Sequence, residues 1–506
     1  MDKSQTDMKQ TEIPNTDDAA VIGIDLGTTN SLVSFIKNSA PRIIPNERGE
    51  RMTPSVVFFD DQKRAIVGFM AKNQAVLNAD RTVSEVKLLM GREHIYTIQD
   101  KTYTPVDISA IILEKLKTQA EGYLGAKVDR AVITVPAYFD DRQRDDTLKA
   151  AQKAGLKVLR LLNEPTAAAL TYGMSHTTGA NLLVIDLGGG TFDITLMEYN
   201  DKKFRVRGVG GSTNIGGSYF DRQIVDYLLK KFQAEHGVDL SADSIALQQL
   251  VIHAERAKVD LSATDETRII IPYITAGTKG PLHLNELLTR QQFEHLISPI
   301  LDQMEEQIKA TFVQADLEPD WVDTVIFVGG STRVPAVDSL VQRLSSQSSS
   351  SSSTPPEVRR DINPDEAVAR GAAIMAGILE GTIEGIEFHD ITPHDLGIED
   401  DKGNFISILP RGAAYPAEAY RFFTTTEDHQ DKVVINILQQ VGMTDKNLVS
   451  LGLFSLKTDP NLLEGEPQID VTFNIDENGM LKVSALDVDT GEQREVTIDI
   501  QNQCCA

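Results

Sequence analysis

The chain has 506 residues, a formal net charge of −25 and 41% hydrophobic residues. That length exceeds one compact core, so two or three domains are expected. The charge excludes nucleic acid as a main partner, since phosphate would be repelled, and no apolar run reaches membrane-spanning length, so no membrane partner is expected either.

Met1–Ala20 is polar and acidic with no apolar stretch of a secretory signal, and residues 1–19 read as a disordered tail. The two cysteines, Cys504 and Cys505, stand next to the C-terminus. No disulfide framework can form across the rest of the chain, which accords with a reducing compartment, and the expected location is cytoplasmic. A prenylation box needs cysteine where Gln503 stands, so that reading fails. Lipidation, redox chemistry and metal binding stay open for the pair beside the plainer reading, a frayed tail (residues 502–506).

In chain order, the first strong signal is I-G-I-D-L-G-T-T-N-S at 22–31. An apolar run of buried-strand type ends in Asp-Leu-Gly and then in small and hydroxyl residues. Glycine permits a tight turn whose N–H groups approach an anion closely, threonine adds a hydroxyl, and aspartate is a hard oxygen ligand for magnesium, directly or through water. Helical spacing follows over Ser109–Leu124. At 163–170, N-E-P-T-A-A-A-L is rich in small residues that let helices cross closely. The turn then repeats as L-V-I-D-L-G-G-G-T-F-D at 183–193. A single such turn is as well explained by an ordinary hairpin. Two, with Asp25 and Asp186 161 positions apart, suggest duplicated halves that clamp one phosphate chain.

Helical periodicity marks Ser218–Glu235, Asp243–Asp260 and Arg290–Ala315. A third strand runs into glycines in D-T-V-I-F-V-G-G-S-T-R-V-P at 323–335. Ser345–Pro356 is a polar serine run that reads as a mobile surface loop. A second small-residue segment, N-P-D-E-A-V-A-R-G-A-A, occupies 363–373. From Ile391 onward the pattern becomes short β runs at 433–438, 468–475, 481–486 and 495–500, separated by turns such as Glu477–Gly479, and is read as an antiparallel β-sandwich.

The order phosphate turn, connector, phosphate turn, adenosine turn, connector resembles the actin-like ATPase fold. A-V-I-T-V-P-A-Y-F at 131–139, L-N-E-P-T-A-A-A-L-T-Y-G at 162–173, D-L-G-G-G-T-F-D at 186–193 and A-E-R-A-K-V-D-L-S at 254–262 narrow the resemblance to the 70-kDa heat-shock chaperones of DnaK type. D-I-T-P-H-D-L-G-I-E at 390–399 and G-E-P-Q-I-D-V-T-F-N-I-D-E-N-G at 465–479 extend it into the peptide-binding domain. The implied fold class is α/β: an actin-like, duplicated, two-lobed nucleotide-binding domain over 20–385, a linker at 386–390 and a sandwich over 391–501. Relatives continue into a helical lid; this chain stops shortly after Ile500, so a lidless short form is expected.

The resemblance implies an ATPase with ATP, ADP and Mg²⁺ as ligands. Asp25 and Asp186 would hold the metal through its water shell. Gly27, Thr28, Thr29, Asn30, Gly188, Gly189 and Gly190 would cradle phosphate. Lys87, Glu164, Thr191 and Asp193 would be catalytic, with Lys87 and Thr191 near the γ-phosphate. Four carboxylates together would repel one another without a cation. Glu255, Lys258 and Ser262 share a helix face and match residues that grip ribose and adenine. Gly329, Gly330, Ser331, Arg333 and Asp365 match the opposite wall. Val259 stands where many relatives carry arginine, which lowers the expected nucleotide affinity.

In the sandwich, Ile398, Phe423, Val433 and Ile435 match the peptide pocket, although taken alone they read as core. Asp401 and Thr426 occupy positions that are commonly apolar. Pro136, Arg144, Arg160 and Asp390 match positions of interdomain coupling. The linker reads I-E-F-H-D, where relatives are leucine-rich; buried Glu387 and His389 would be costly, and weak coupling is expected. The segment Gly91–Thr104 is short, so a standard nucleotide-exchange factor is an uncertain fit. The expected partners are unfolded or apolar peptides, a J-domain co-chaperone and an exchange factor. Two functions compete: an ATP-driven peptide-binding chaperone, and an ATP-binding co-chaperone or regulator that cycles little and holds one dedicated partner. A sugar kinase is disfavoured by the β region.

Overall fold

The computed structural model describes residues 20–174, 176, 179–277, 280–345, 355–440 and 448–497. The N-terminal tail, most of the serine run, the end of the last predicted strand and the cysteine pair lie outside the described residues.

Two large sheets repeat one arrangement. In the first, strands Ala20–Asp25, Asn30–Lys37 and Ala40–Ile44 form an antiparallel meander, and Val128–Val135 and Lys157–Asn163 extend it in parallel beyond Ala20–Asp25. In the second, Ala180–Leu187, Phe192–Asn200 and Lys203–Ser212 form the meander, and Thr324–Val328 and Glu357–Arg359 extend it in parallel beyond Ala180–Leu187. Strands Ala20–Asp25 and Ala180–Leu187 therefore hold equivalent central places. Each carries one of the predicted phosphate turns at its end.

Helices Glu164–Gly173 and Ala367–Leu379 cross between the sheets. Their small residues have the predicted use: a Cβ on Gly371 would come within 1.8 Å of the Ala167 carbonyl oxygen. The predicted helix over 109–124 starts earlier, as Pro105–Leu124. Thr104 and Asp107 form a reciprocal capping box there, and Pro105 needs no N–H partner in the first turn. The remaining predicted helices are observed as Gly217–His236, Ser244–Ala263 and Arg290–Gln314.

The C-terminal region has two four-stranded antiparallel sheets. One orders Phe405–Leu409, Asp395–Glu399, Lys432–Gln440 and Leu448–Lys457; the other orders Ala417–Phe423, Ile469–Ile475, Leu481–Asp487 and Gln493–Thr497. Alternation does the work in Ile469–Ile475: Ile469, Val471, Phe473 and Ile475 are buried, and the polar residues between them are not. Both sheets contribute to one core.

The segment read as a linker, 386–390, falls mostly in a strand, Glu387–Ile391. Glu387–His389 pair in parallel with Lys203–Arg205 of the second large sheet, and Asp390 and Ile391 pair with Tyr415 and Ala414 of the C-terminal region. The expected cost of burying Glu387 and His389 does not arise. On a two-residue period both face outward and are exposed, Asp390 is buried, and Glu387 meets Lys203 at 2.9 Å in solvent.

Candidate nucleotide site and interdomain contact

The glycine turns meet at one cleft of about 860 Å³ between the sheets, lined by Asp25, Thr28, Thr29, Lys87, Glu164, Asp186 and Thr191 on one side and by Glu255, Lys258, Ser262, Arg333 and Asp365 on another. Gly27, Asn30, Gly188, Gly189, Gly329, Gly330 and Ser331 also line it. The turns approach so closely that only glycine fits: a Cβ on Gly189 would lie 2.0 Å from Thr29 Oγ1. Gly329 has φ +80°, and a side chain there would strike the Leu187 carbonyl. Gly190 packs against Leu88 beside the same turn.

At the floor, Lys87 Nζ bonds Glu164 Oε1 at 2.5 Å, with both side chains buried. Asp186 and Asp193 face one another across adjacent antiparallel strands. Thr134 Oγ1 donates to Asp25 at 3.4 Å, and the Tyr138 backbone N–H donates to Asp193 Oδ1 at 3.0 Å, while the buried Asp193 Oδ2 lacks a partner. Burial, followed by the charge of Glu164, pushes Asp25 and Asp193 up to about 7. Burial also pushes Asp186 well above its ordinary value, reinforced by Glu164, Asp193 and Asp25. One lysine cannot neutralise four carboxylates. Like charges directly opposed across strands repel, so the cluster has the electrostatics of a cation site. Among the described residues no three such groups are close enough to hold an ion directly. The hard carboxylate oxygens and the unpartnered Asp193 Oδ2 fit a hard cation such as magnesium.

On the other wall of the cleft, Lys258 Nζ donates to the Gly217 carbonyl at 3.0 Å and to Asp221 at 2.8 Å. Ser262 lies one turn on and donates to the Lys258 carbonyl. Arg333 pairs with Asp365 at 2.6 Å. Val259 lines the cleft yet is 61% exposed, leaving that wall open to solvent. Lys72 pairs with Glu255 at 2.7 Å, joining helix Phe69–Gln74 to helix Ser244–Ala263. Lys72 and Asp221 escaped the sequence reading, because single charged residues on helix faces carry no local motif.

The coupling positions gather behind the floor. Asp140 caps helix Asp141–Lys153 in a reciprocal box with Gln143; from this helix Asp141 meets the Leu481 backbone and Arg142 donates to the Ser450 carbonyl of the C-terminal region. Arg144 Nη2 donates to Asn163 Oδ1 at 2.7 Å, and Asn163 Nδ2 donates to Asp390 Oδ2 at 2.7 Å and to the Tyr415 hydroxyl at 3.3 Å. Burial raises the Asp390 carboxyl above its usual range. Pro136 is buried and accepts the Phe139 N–H in the turn before that helix. Arg160 is half-buried in strand Lys157–Asn163. Next to it, the Leu161 N–H donates to Asn478 Oδ1 of the C-terminal region at 3.1 Å. Asn163, Tyr415 and Asn478 were missed by sequence reasoning; N-E-P at 163–165 was its nearest clue.

Ile398 and Ile435 are buried in the C-terminal core, with Phe423 and Val433 half-buried against it. Asp401 and Thr426 are exposed at the neighbouring turns.

A sheet pattern repeated about a carboxylate-rich cleft with glycine turns defines a nucleotide-binding protein. The family model described as Hsp70 protein matches residues 21–505, and the chain belongs to that family. Its members are ATP-dependent chaperones with ATPase activity, and they bind ATP or ADP with Mg²⁺. Among the described residues, no helix is long and apolar enough to cross a membrane.

Proposed function

We propose that this chain hydrolyses Mg·ATP in the cleft and couples hydrolysis to the binding of apolar peptide segments by the C-terminal sandwich. The two large sheets act as the lobes of an actin-like ATPase over residues 20–385, and residues 386–390 link it to a peptide-binding sandwich over 391–501. Its cycle engages a J-domain partner and an exchange factor. Bound magnesium, held by the carboxylates of Asp25 and Asp186 through water, would neutralise phosphate charge. Lys87 supplies a buried cation for charge that develops on transfer, Glu164 and Asp193 orient water, and Thr191 offers a hydroxyl to phosphate. Ile398, Phe423, Val433 and Ile435 form the apolar pocket; burying one leucine there contributes about 1.5–3 kcal/mol.

The observation that carries the reading is continuity. Glu164 pairs with Lys87 in the cleft, and Asn163, its chain neighbour, binds Asp390 of the linker. The test is single-turnover hydrolysis with and without an apolar peptide and a J-domain. Stimulation by both supports a cycling chaperone. Tight ATP binding with negligible stimulated turnover overturns it in favour of a regulator with a dedicated partner.

A further inference from the structure

His394 follows the linker in T-P-H-D and is fully buried where the C-terminal region meets the ATPase region. Its ring sits edge-on to Tyr138, centroids 4.5 Å apart. Apart from the Tyr138 backbone, no group is placed to hydrogen-bond the ring nitrogens, and Arg144 Nη1 and Gln439 Oε1, also buried, lack partners beside it. These residues line a small pocket of about 20 Å³, with Phe139, Asp141 and Arg144 forming the ATPase wall and Pro393, His394 and Gln439 the other. Such a space holds about one water molecule, and a hydrated cation needs more room.

Charged groups flank the ring from both regions. Arg411 and Asp395 lie on its own side, bonded to each other at 2.9 Å. Arg144 and Asp141 approach from helix Asp141–Lys153, with the Tyr138 backbone before it and the Tyr415 hydroxyl alongside. Burial, then the Arg411 charge, holds the imidazole at about 3; Arg144 adds to this, and the Tyr138 backbone and Asp395 oppose it. Separating the regions removes the wall that buries the ring.

We propose that His394 makes interdomain docking proton-sensitive: the docked state accepts only the neutral imidazole, so acidification opposes docking through this residue. With the ring held low when docked and near its ordinary 6.5 when undocked, its contribution is complete above that value. As pH falls below it, docking weakens through His394 by up to tenfold per pH unit. Asp141 has the opposite sign. It accepts a hydrogen bond from the Leu481 backbone across the contact, and burial pushes it up to about 7, so acid favours docking through Asp141. Asp390 acts in the same direction as Asp141. The net dependence of the unmodified chain is therefore shallow, and the His394 contribution emerges only by comparison. The inference extends the proposed function but reads docking alone, so it stands or falls apart from stimulated hydrolysis.

The experiment is linker cleavage of the full chain in Mg·ATP by a broad-specificity protease, which follows the undocked population. Wild type is compared with His394→Leu and His394→Gln at each pH, so changes in the protease cancel. The wild-type to variant ratio of cleavage rates is expected to rise about tenfold between about pH 7.5 and about pH 5.5 for both variants. A ratio independent of pH overturns the proposal. If the leucine variant does not fold, the glutamine variant, which keeps polar atoms but does not titrate, decides alone.

Discussion

Asn163 Nδ2 donates to Asp390 Oδ2 at 2.7 Å, so a linker side chain is bound one residue away from Glu164 in the nucleotide cleft. The Asn163 amide is engaged at both ends, since its Oδ1 accepts from Arg144. Any shift of strand Lys157–Asn163 that follows a change at Glu164 must therefore move a buried hydrogen-bonded bridge.

Asn163→Ala leaves Arg144 and Asp390 buried with fewer partners. An unmet buried polar group costs about 1–3 kcal/mol, and this cost falls on the docked state. Peptide stimulation of hydrolysis should drop severalfold while nucleotide affinity is kept. Single-turnover rates with and without peptide check this, and unchanged stimulation would remove Asn163 from the coupling path.

Lys87→Ala should lower hydrolysis by about 10²–10³-fold, the usual loss of one preorganised charge-stabilising group. It also strands Glu164, and breaking a buried pair destabilises by about 3–5 kcal/mol. Thermal unfolding of the variant should therefore recover in Mg·ATP, and Lys87→Ala with Glu164→Gln should recover part without nucleotide. Equal turnover in wild type and variant would refute the role of Lys87.

The linker prediction changes with the structure in hand. Glu387 and His389 point to solvent, so replacing both by leucine should alter docking by no more than about 0.5 kcal/mol. Asp390→Ala should act on the buried side and reduce docking clearly. Linker cleavage in Mg·ATP measures both. A large gain from the double leucine variant would mean that these positions turn inward in another state.

Legibility followed locality. The glycine turns and the small residues at Ala167 and Gly371 were readable, because the backbone geometry they require restricts residue choice at fixed spacing. Alternation marked the C-terminal strands for the same reason. Lys72, Asn163, Tyr415 and Asn478 were not readable, since each works through a partner far away in sequence and no periodicity records such a pairing. The linker failed differently. Its polar residues were visible, but which face they take depends on the strand it joins, Lys203–Ser212, and composition does not carry that register.

Lys72 and Glu255 bridge two helices at the nucleotide cleft. Lys72 and Glu255 are 2.7 Å apart with about a third of each side chain exposed, so solvent screens them in part. Exposed pairs contribute about 0.2–1 kcal/mol, which corresponds to at most a roughly fivefold change in rate. Lys72→Ala should speed nucleotide release by that factor and leave hydrolysis on the enzyme unchanged, because Lys72 does not reach the Lys87–Glu164 floor. Added salt should bring wild type toward the variant, since salt screens a solvent-accessible pair further. Glu255→Ala should cost more, because Glu255 also shares one helix face in the cleft with Lys258 and Ser262. A double-mutant cycle on the dissociation rate separates the two contributions, and a coupling of zero would show that the bridge does not hold the cleft closed.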